Sequence, residues 1–340
     1  MKNDFYKYQA QTTPHPLALE VSHAKGCYIY DIKGKEYLDF IAGVSASSLG
    51  HCHPKVISAV KNQLDKYLHV MVYGEFIQEP AVELTKLLSG LLPDNLTTTY
   101  LTNSGTEAIE GSMKLARRAT GRKEIIYSKK AYHGNTMGAL SIMGVEERKK
   151  IFQPLLPNCN SIEFNNEKDI LKITSKTAGV VLETIQGGAG FIVPKNNYLK
   201  KIKNRCSAVG SLLILDEIQP GFGRTGKLFG FEHYDISPDI LAIGKGMGGG
   251  MPIGAFTASK ELMSLLSNHP KLGHITTFGG HPVIASAALA TLKEITRTNL
   301  IEETLQKETI FRKHLVHPLI KEIRGKGLML ALIVDTPEIA

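Results

Sequence analysis

Short apolar runs alternate with helix-like segments along most of the chain. The clearest runs are LLIL at residues 212–215 and PDILA at 238–242, each followed by a polar or glycine residue. Wholly apolar runs of this length are typical of parallel strands that are covered on both faces. From about residue 55 to residue 282 the alternation predicts an α/β fold, with a mainly parallel sheet sandwiched by helices.

Different patterns flank this region. Residues 26–39 alternate around a Lys-Gly turn and predict a hairpin, whereas the alanine-rich stretch from 283 to about 295 predicts a long helix. The first strand of a smaller α/β domain is predicted at 328–334, LMLALIV. The predicted organisation is an N-terminal segment, 1–54, that contributes to the small domain, then a large cofactor-binding domain, 55–282, then the inter-domain helix and the start of the small domain, 283–340.

Composition limits the class of protein. The 340 residues are 43% hydrophobic and contain no apolar run of membrane-spanning length, so a soluble, cytoplasmic protein is expected. The four cysteines form no C-x-x-C pair and no zinc pattern, which predicts free thiols and no metal site. The formal charge of +8 comes from scattered Lys and Arg, so we expect a solvated basic surface and neither a nucleic-acid nor a membrane partner.

A lysine directly follows one of the apolar runs. The sequence IGKGM at 243–247 places the Lys245 ammonium at the end of a buried strand, where desolvation lowers the pKa of an amine and makes it a usable nucleophile. The flanking Gly244 and Gly246 leave room for a flat molecule. Lys245 is therefore a candidate for a Schiff base with an aldehyde cofactor, which also needs a phosphate cradle, an acid for its pyridine nitrogen and an aromatic for stacking.

Two other glycine-rich motifs, a dinucleotide-binding pattern and a P-loop, do not fit the residues around them. The glycines of 244–249 fit the dinucleotide pattern G-x-G-x-x-G, but Pro252 and the strand-like 253–257 follow where that pattern requires a helix. Residues 221–228, GFGRTGKL, match a phosphate-binding P-loop except for Leu228, which stands where a magnesium-binding Ser or Thr is needed.

Asp216 is the candidate acid. It ends the apolar run 212–215, at the carboxyl end of a predicted strand, where open α/β sheets bind their ligands. A carboxylate there can keep a pyridine nitrogen protonated. An Asp that merely starts the next surface loop would look the same, and the spacing between Asp216 and Lys245 favours the functional interpretation.

The candidate phosphate cradle is NSGTEA at 103–108. It follows the strand-like TTYL at 98–101 and opens a helix predicted from Thr106 to about residue 119. Free amides at that helix start, with the hydroxyls of Ser104 and Thr106, suit a phosphate dianion. An ordinary N-cap without any ligand has the same sequence, so both interpretations stay open.

Tyr132 is the candidate stacking aromatic. It lies in AYHG at 131–134, shortly after the strand-like EIIY at 124–127. An aromatic in a loop serves as a packing residue more often than as a cofactor platform. Its assignment therefore depends on the residues around it.

Ordered sequence blocks along nearly the whole chain carry a family resemblance. They are GHCHP (50–54), NSGTEA (103–108), ETIQG (183–187), DEIQ (216–219) with GRTG (223–226), KGMGGG (245–250), TFGG (277–280) and RGKGL (324–328). In these blocks the chain resembles the class III aminotransferases, the pyridoxal-phosphate family that contains acetylornithine, ornithine, 4-aminobutyrate and putrescine aminotransferases.

The resemblance implies a fold type I transferase that binds pyridoxal 5′-phosphate and works as a homodimer with shared active sites. It implies that Lys245 bonds to the cofactor and carries the proton, and that Asp216 pairs with the pyridine nitrogen. Thr277 would reach the phosphate in the neighbouring subunit. With Asp216 and Lys245, the implied cofactor-binding residues are Ser104, Gly105, Thr106, Tyr132, His133, Glu183, Gln219 and Thr277.

The chain departs from the family around the substrate. Asn135 stands where many carboxylate-binding relatives have Arg, and Gly188 stands where they often have Glu. Family members continue beyond the equivalent of Ala340 and supply there an arginine for the substrate α-carboxylate. Because an unpaired apolar strand at 328–334 would favour aggregation, we expect the chain to be a fragment.

Together these residues predict transfer of a terminal amino group, from an ω-amino acid or a diamine, to an oxo acid such as 2-oxoglutarate. Asn135 cannot bind a carboxylate as a guanidinium does, and Gly188 lacks the acid that can pair with a carboxylate-binding arginine. Donors with an uncharged or cationic tail should therefore outperform 4-aminobutyrate and acetylornithine. The alternatives are an acetylornithine- or ornithine-type aminotransferase, another pyridoxal-phosphate enzyme (a lyase, decarboxylase or racemase), or a catalytically silent homologue.

Overall fold

The computed structural model describes residues 1–71 and 74–335. Its strands are β1 (Val21–Lys25), β2 (Tyr28–Asp31), β3 (Glu36–Leu38), β4 (Thr98–Thr102), β5 (Glu124–Ser128), β6 (Cys159–Ile162), β7 (Thr177–Glu183), β8 (Leu212–Asp216), β9 (Ile240–Gly244), β10 (Gly254–Ala258), β11 (Glu322–Lys326) and β12 (Met329–Ile333).

Its α-helices are α1 (Lys2–Tyr8), α2 (Ala42–Ser45), α3 (Pro54–Leu64), α4 (Glu79–Leu91), α5 (Gly105–Thr120), α6 (Met137–Ser141), α7 (Glu146–Lys149), α8 (Tyr198–Val209), α9 (Lys260–Ser264), α10 (Pro282–Arg297) and α11 (Leu300–His314). Short 3₁₀ helices span Lys150–Phe152, Glu167–Lys172, Gly230–Tyr234 and Lys245–Gly248.

A seven-stranded sheet forms the centre of the molecule, in the order β4-β10-β9-β8-β7-β5-β6. Strand β10 runs antiparallel to both of its neighbours, and the other strand pairs are parallel. The predicted α/β fold with a mainly parallel sheet is confirmed. Because parallel strands end at one edge of a sheet, the carboxyl ends of β7, β8 and β9 lie side by side.

The apolar runs are explained by burial on both faces of the sheet. Along β8, Leu213 and Leu215 pack into one hydrophobic cluster and Ile214 packs into the cluster on the opposite face. Successive strand side chains point to opposite faces, so a strand with a core on each side needs an unbroken apolar run. Each fully buried aliphatic side chain contributes about 1.5–3 kcal/mol to stability.

The local predictions around the sheet hold. Helix α5 begins after Ser104, whose backbone is extended, and ends at Gly121, whose φ of 67° lies in the left-handed region. The predicted helix after residue 282 is α10. The predicted hairpin is the antiparallel pair of β2 and β3, and β1 joins it as a third strand that the sequence analysis did not include.

One predicted element needs correction. The strand predicted at 328–334 is not the first of its sheet, because β11 precedes it and pairs with it antiparallel. The polar sequence EIRGK of β11 has no strand-like alternation, which explains why it was missed. The apolar strand β12 is therefore paired and not left alone as expected. Residues 336–340 of the predicted last segment lie outside the described residues.

Two further findings concern the whole described chain. Within residues 1–71 and 74–335, no helix is both long enough and apolar enough to cross a bilayer. The four cysteines are free thiols. The proposed domain boundaries remain a prediction.

Candidate active site

A cavity of about 830 Å³ lies at the carboxyl ends of β7, β8 and β9. The predicted site residues that line it are Ser104, Gly105, Thr106, Tyr132, His133, Glu183, Asp216, Gln219 and Lys245. Thr277, the remaining predicted residue, is exposed and is not part of this lining in the described chain. The fold thus brings together residues that are up to 141 positions apart, from Ser104 to Lys245.

The turn between β4 and α5 forms the candidate phosphate cradle. The amide of Glu107 donates to Ser104 Oγ at 3.4 Å, and Glu107 Oε2 accepts from the Asn103 amide at 2.6 Å. This cap leaves the first amides of the helix without intrahelical partners, so they are available to an anion. Gly105 allows the close approach, because a methyl group there would lie 2.7 Å from Ile218 Cδ1.

Asp216 and His133 form a buried pair. The distance between Asp216 Oδ2 and His133 Nδ1 is 2.7 Å, and Asp216 Oδ1 accepts from the Ile218 amide at 3.0 Å. Burial lowers the pKa of His133, but the hydrogen bond and negative charge of Asp216 outweigh it and raise that pKa overall. His133 Nε2 is buried and has no hydrogen-bond partner in the described residues. The Asp216 carboxylate, held in this way, suits a hydrogen bond from the protonated ring nitrogen of a cofactor.

Glu183 lies beside this pair, because β7 and β8 place it directly opposite Asp216. Its carboxylate accepts from the amides of Gly187 at 2.9 Å and Tyr132 at 3.1 Å. Burial raises the pKa of Glu183 to about 7, although the charge of His133 and the two amides oppose this shift. Glu183 therefore fixes the backbone of the loop that carries the candidate stacking aromatic.

That loop packs against the cradle. Gly134 has a φ of 126°, and a methyl group there would lie 2.2 Å from Thr106 Oγ1. The hydroxyls of Thr106 and Thr136 are hydrogen bonded at 2.8 Å. The side chain of Tyr132 lines the cavity and is 39% exposed, and its hydroxyl accepts from Asn135 Nδ2 at 3.3 Å. Tyr132 is thus held at its backbone while part of its ring stays accessible.

Lys245 is the first residue after β9. Its φ of 42° is uncommon for a residue with a side chain, and it begins the 3₁₀ helix Lys245–Gly248. The strand is fully buried as predicted, whereas Lys245 is half-buried because it borders the cavity. A methyl group at Gly246 would lie 2.7 Å from Ser48 Oγ, and one at Gly187 would lie 2.2 Å from Gln219 Oε1. The glycines therefore leave space in a crowded site.

Arg148 also lines the cavity, although it was not predicted as a site residue from the sequence. It lies in EERKK at 146–150, a charged run typical of a solvated helix surface, so its sequence gives no sign of a site. Glu217 was missed as well. Its buried carboxylate accepts from Thr184 Oγ1 and from the amides of Gly230 and Phe231, at 2.5–2.7 Å.

Comparison with known proteins identifies the family. The family model described as Aminotransferase class-III matches residues 8–339. The chain belongs to this family. A [LysW]-aminoadipate semialdehyde/glutamate semialdehyde transaminase of Sulfolobus acidocaldarius is 38% identical over 320 residues, which are 92% of this chain and 81% of that enzyme. An acetylornithine aminotransferase of Clostridium acetobutylicum is 39% identical over 323 residues, 91% of this chain and 82% of that enzyme.

Solved structures agree. The ornithine aminotransferase from Toxoplasma gondii, described with partial occupancy of PLP at its active site, superposes with a TM-score of 0.88. Its sequence is 33% identical, and the match covers 98% of this chain and 82% of that chain. The chain is therefore a class III aminotransferase of fold type I that uses pyridoxal phosphate, as predicted. The cradle, the buried acid pair and the lysine at the strand end fit this cofactor.

Proposed function

We propose that this aminotransferase takes the terminal amino group of an acetylornithine-type donor and gives it to an oxo acid such as 2-oxoglutarate. Acetylornithine carries a terminal primary amine, an acylated α-nitrogen and a carboxylate. The proposal rests on relatives at 37–39% identity, which are acetylornithine aminotransferases and a semialdehyde transaminase. They favour this donor over the ω-amino acid or diamine that Asn135 and Gly188 suggested.

The cavity supports this chemistry because it brings a lysine, an acid and a phosphate cradle into one space. When bound, pyridoxal phosphate supplies an aldehyde that takes up the donor nitrogen and a ring that accepts electrons from the reacting carbon. The Gly105 and Thr106 amides and the Ser104 hydroxyl would hold the phosphate. Tyr132 would stack on the ring, and Gln219 would lie near the ring oxygen.

Two residues would control protons. Lys245 Nζ would remove the proton from the amine-bearing carbon of the donor and hold it for return, since Lys245 lines the cavity directly after the fully buried strand β9. Asp216 would accept a hydrogen bond from the ring nitrogen. His133 would keep that carboxylate oriented through the 2.7 Å bond to Oδ2.

A homodimer with shared active sites is part of the proposal. Thr277 is exposed, and its neighbours Leu272, Ile275 and Phe278 are 50–61% exposed, which is unusual for large apolar side chains in one segment. We propose that a second copy covers this segment, so that Thr277 reaches the partner's cofactor. Light scattering should give twice the chain mass, and mixing Lys245→Ala with Thr277→Ala subunits should restore activity. A monomer with full activity would contradict this part of the proposal.

The donor is tested by a panel of amines. Purified enzyme loaded with pyridoxal phosphate is given 2-oxoglutarate with acetylornithine, ornithine, 4-aminobutyrate or putrescine, and glutamate formation is measured. Acetylornithine should give the highest kcat/KM, with a semialdehyde as its product. A higher kcat/KM for putrescine would favour the diamine donor instead. The Lys245→Ala variant serves as the inactive control.

A further inference from the structure

The cavity lining holds few permanent charges. Among its described residues the cations are Lys245 and Arg148, and the carboxylates are Asp216 and Glu183. Lys245 is assigned to the cofactor, and both carboxylates are buried and already accept hydrogen bonds. Arg148 is the lining cation that this assignment leaves without a role.

The Arg148 guanidinium has no hydrogen bond or ion pair with any residue in 1–71 or 74–335. The nearest acid along the chain that forms an ion pair, Glu146, bonds to Lys149 at 2.9 Å instead. Arg148 is exposed, so its position at the lining places it on the open side of the cavity. All five of its N–H donors are therefore available to a ligand.

The backbone that carries Arg148 is nevertheless held in place. The next residue, Lys149, is buried and donates to Tyr127 Oη in β5 at 2.8 Å. At the start of the same segment, the Gly144 amide donates to the Ala131 carbonyl at 2.8 Å, directly before the loop with the stacking aromatic. Helix α7 is thus tied to the sheet and to the site, which fixes the backbone position from which Arg148 reaches the cavity.

Asn135 also lines the cavity, but it cannot supply a guanidinium for a carboxylate. Its amide donates to Tyr132 Oη at 3.3 Å, and an amide cannot form a charged, bidentate bond to a carboxylate. We propose that Arg148 takes over this role and binds the carboxylate of the amine donor. This inference rests on the proposed function, since it names the residue that recognises the donor. Arg148 is then a specificity-determining residue contributed by a different segment of the chain.

Two donors of equal chain length test the inference. 5-Aminopentanoate and pentylamine share a terminal amine and differ by the carboxylate. Once the bound donor shields it from water, a charge-assisted hydrogen bond from Arg148 corresponds to a preference of about 10- to 100-fold. Arg148→Ala should lower kcat/KM for 5-aminopentanoate by about that factor and leave pentylamine within about 2-fold. Arg148→Lys keeps the positive charge but loses the planar pair of N–H donors. Its kcat/KM for 5-aminopentanoate should therefore lie between the values of wild type and Arg148→Ala.

The matched control is Lys150→Ala, which removes an exposed cation two residues away that does not line the cavity. It should leave the ratio of the two kcat/KM values unchanged. Pyridoxal-phosphate occupancy should also be unchanged in Arg148→Ala. An equal loss for both donors, or a loss of bound cofactor, would overturn the inference because either result indicates a structural or cofactor role.

A binding measurement separates this inference from the proposed function. Calorimetry with pentanoate, which has the carboxylate but no amine, should give a Kd that rises by about 10-fold or more in Arg148→Ala. Arg148-dependent binding of pentanoate without turnover of any amine would contradict the proposed function and support the carboxylate site. If Arg148→Ala still turns over acetylornithine, and neither pentanoate binding nor the donor preference changes, the proposed function stands and the role of Arg148 is rejected.

Discussion

At the cofactor end of the cavity, Glu183 and Asp216 occupy neighbouring strand ends, and backbone amides or a buried histidine satisfy both carboxylates. At the donor end, Arg148 and Asn135 lie on exposed segments, and only Asn135 has a side-chain bond among the described residues. Removing one partner of a buried charged pair is destabilising by about 3–5 kcal/mol, whereas an exposed pair contributes about 0–1 kcal/mol. The cofactor end is thus fixed by the fold, whereas we expect single surface substitutions at the donor end to change the preferred donor.

The largest effect is expected at Lys245. Because we propose that the lysine both bonds to the cofactor and moves the proton, Lys245→Ala should lower turnover by roughly 10⁴-fold or more. Borohydride should no longer attach the cofactor to the protein, which mass spectrometry can detect. Lys260→Ala, an exposed lysine of α9 outside the lining, is the control and should behave as wild type. A borohydride-reducible bond that persists in Lys245→Ala would rule out the assignment.

Asp216→Asn comes second. The substitution keeps the shape of the side chain but removes the charge that we propose for the ring nitrogen, so kcat should fall by roughly 10²- to 10³-fold. Cofactor occupancy, measured by absorbance, should fall far less. Without the charge of Asp216 the pKa of His133 should drop, and an NMR titration of the imidazole can follow it. Near-normal single-turnover rates would show that another residue acts on the ring nitrogen.

A substitution at Glu217 tests whether buried carboxylates outside the cavity also stabilise the fold. Glu217→Gln leaves the amides of Gly230 and Phe231 with one good acceptor in place of two, which should reduce the free energy of unfolding by about 1–3 kcal/mol. Urea denaturation measures this loss, and kcat should change little because Glu217 does not line the cavity. A fall in kcat with unchanged stability would instead indicate a role in the reaction.

The same residue makes a pH prediction. Burial raises the pKa of Glu217 from 4.5 to about 7, despite the bonds from Thr184 and two amides. A raised pKa means that its contribution to stability is fully present below pH 4.5 and is lost as the pH rises through about 7. The free energy of unfolding should fall over this window by at most about 1.4 kcal/mol per pH unit and per such group. Glu217→Gln should flatten the slope, and a slope equal to that of wild type would contradict the shift.

The smallest effect is expected at the donor end. Asn135→Ala removes one exposed, neutral hydrogen bond to Tyr132, so kcat/KM for acetylornithine should fall only about 2- to 10-fold. Steady-state kinetics with the same donor measures it. A loss as large as that of Asp216→Asn would mean that the two ends of the cavity do not differ as described.

The sequence predicts the cofactor end well for physical reasons. Residues at the ends of buried parallel strands are marked by the apolar run before them, as for Asp216 and Lys245. The helix start at Ser104 is marked by its capping chemistry, and the structure shows the cap, whereas its role as a phosphate cradle stays a prediction. These signals are local, and the parallel sheet then brings them together.

The donor end gives no comparable signal. Arg148 enters the cavity from a short helix in a charged run, and which of its neighbours faces the site depends on the burial of Lys149 against β5. Strand β11 was missed because its polar residues pair with an apolar strand later in the chain. The first case depends on a contact with Tyr127, 22 residues earlier in the chain, and the second on pairing with the neighbouring strand β12. The residue pattern within one segment shows neither.

The most direct test of the proposed transamination is a single-turnover experiment without oxo acid. Wild-type enzyme loaded with pyridoxal phosphate is mixed with acetylornithine while absorbance and the carbonyl product are recorded. We expect conversion of the bound cofactor to pyridoxamine phosphate with one equivalent of semialdehyde per Lys245 site, reversed by 2-oxoglutarate. Release of carbon dioxide, a racemised donor, or a spectrum that acetylornithine leaves unchanged would contradict the proposed reaction.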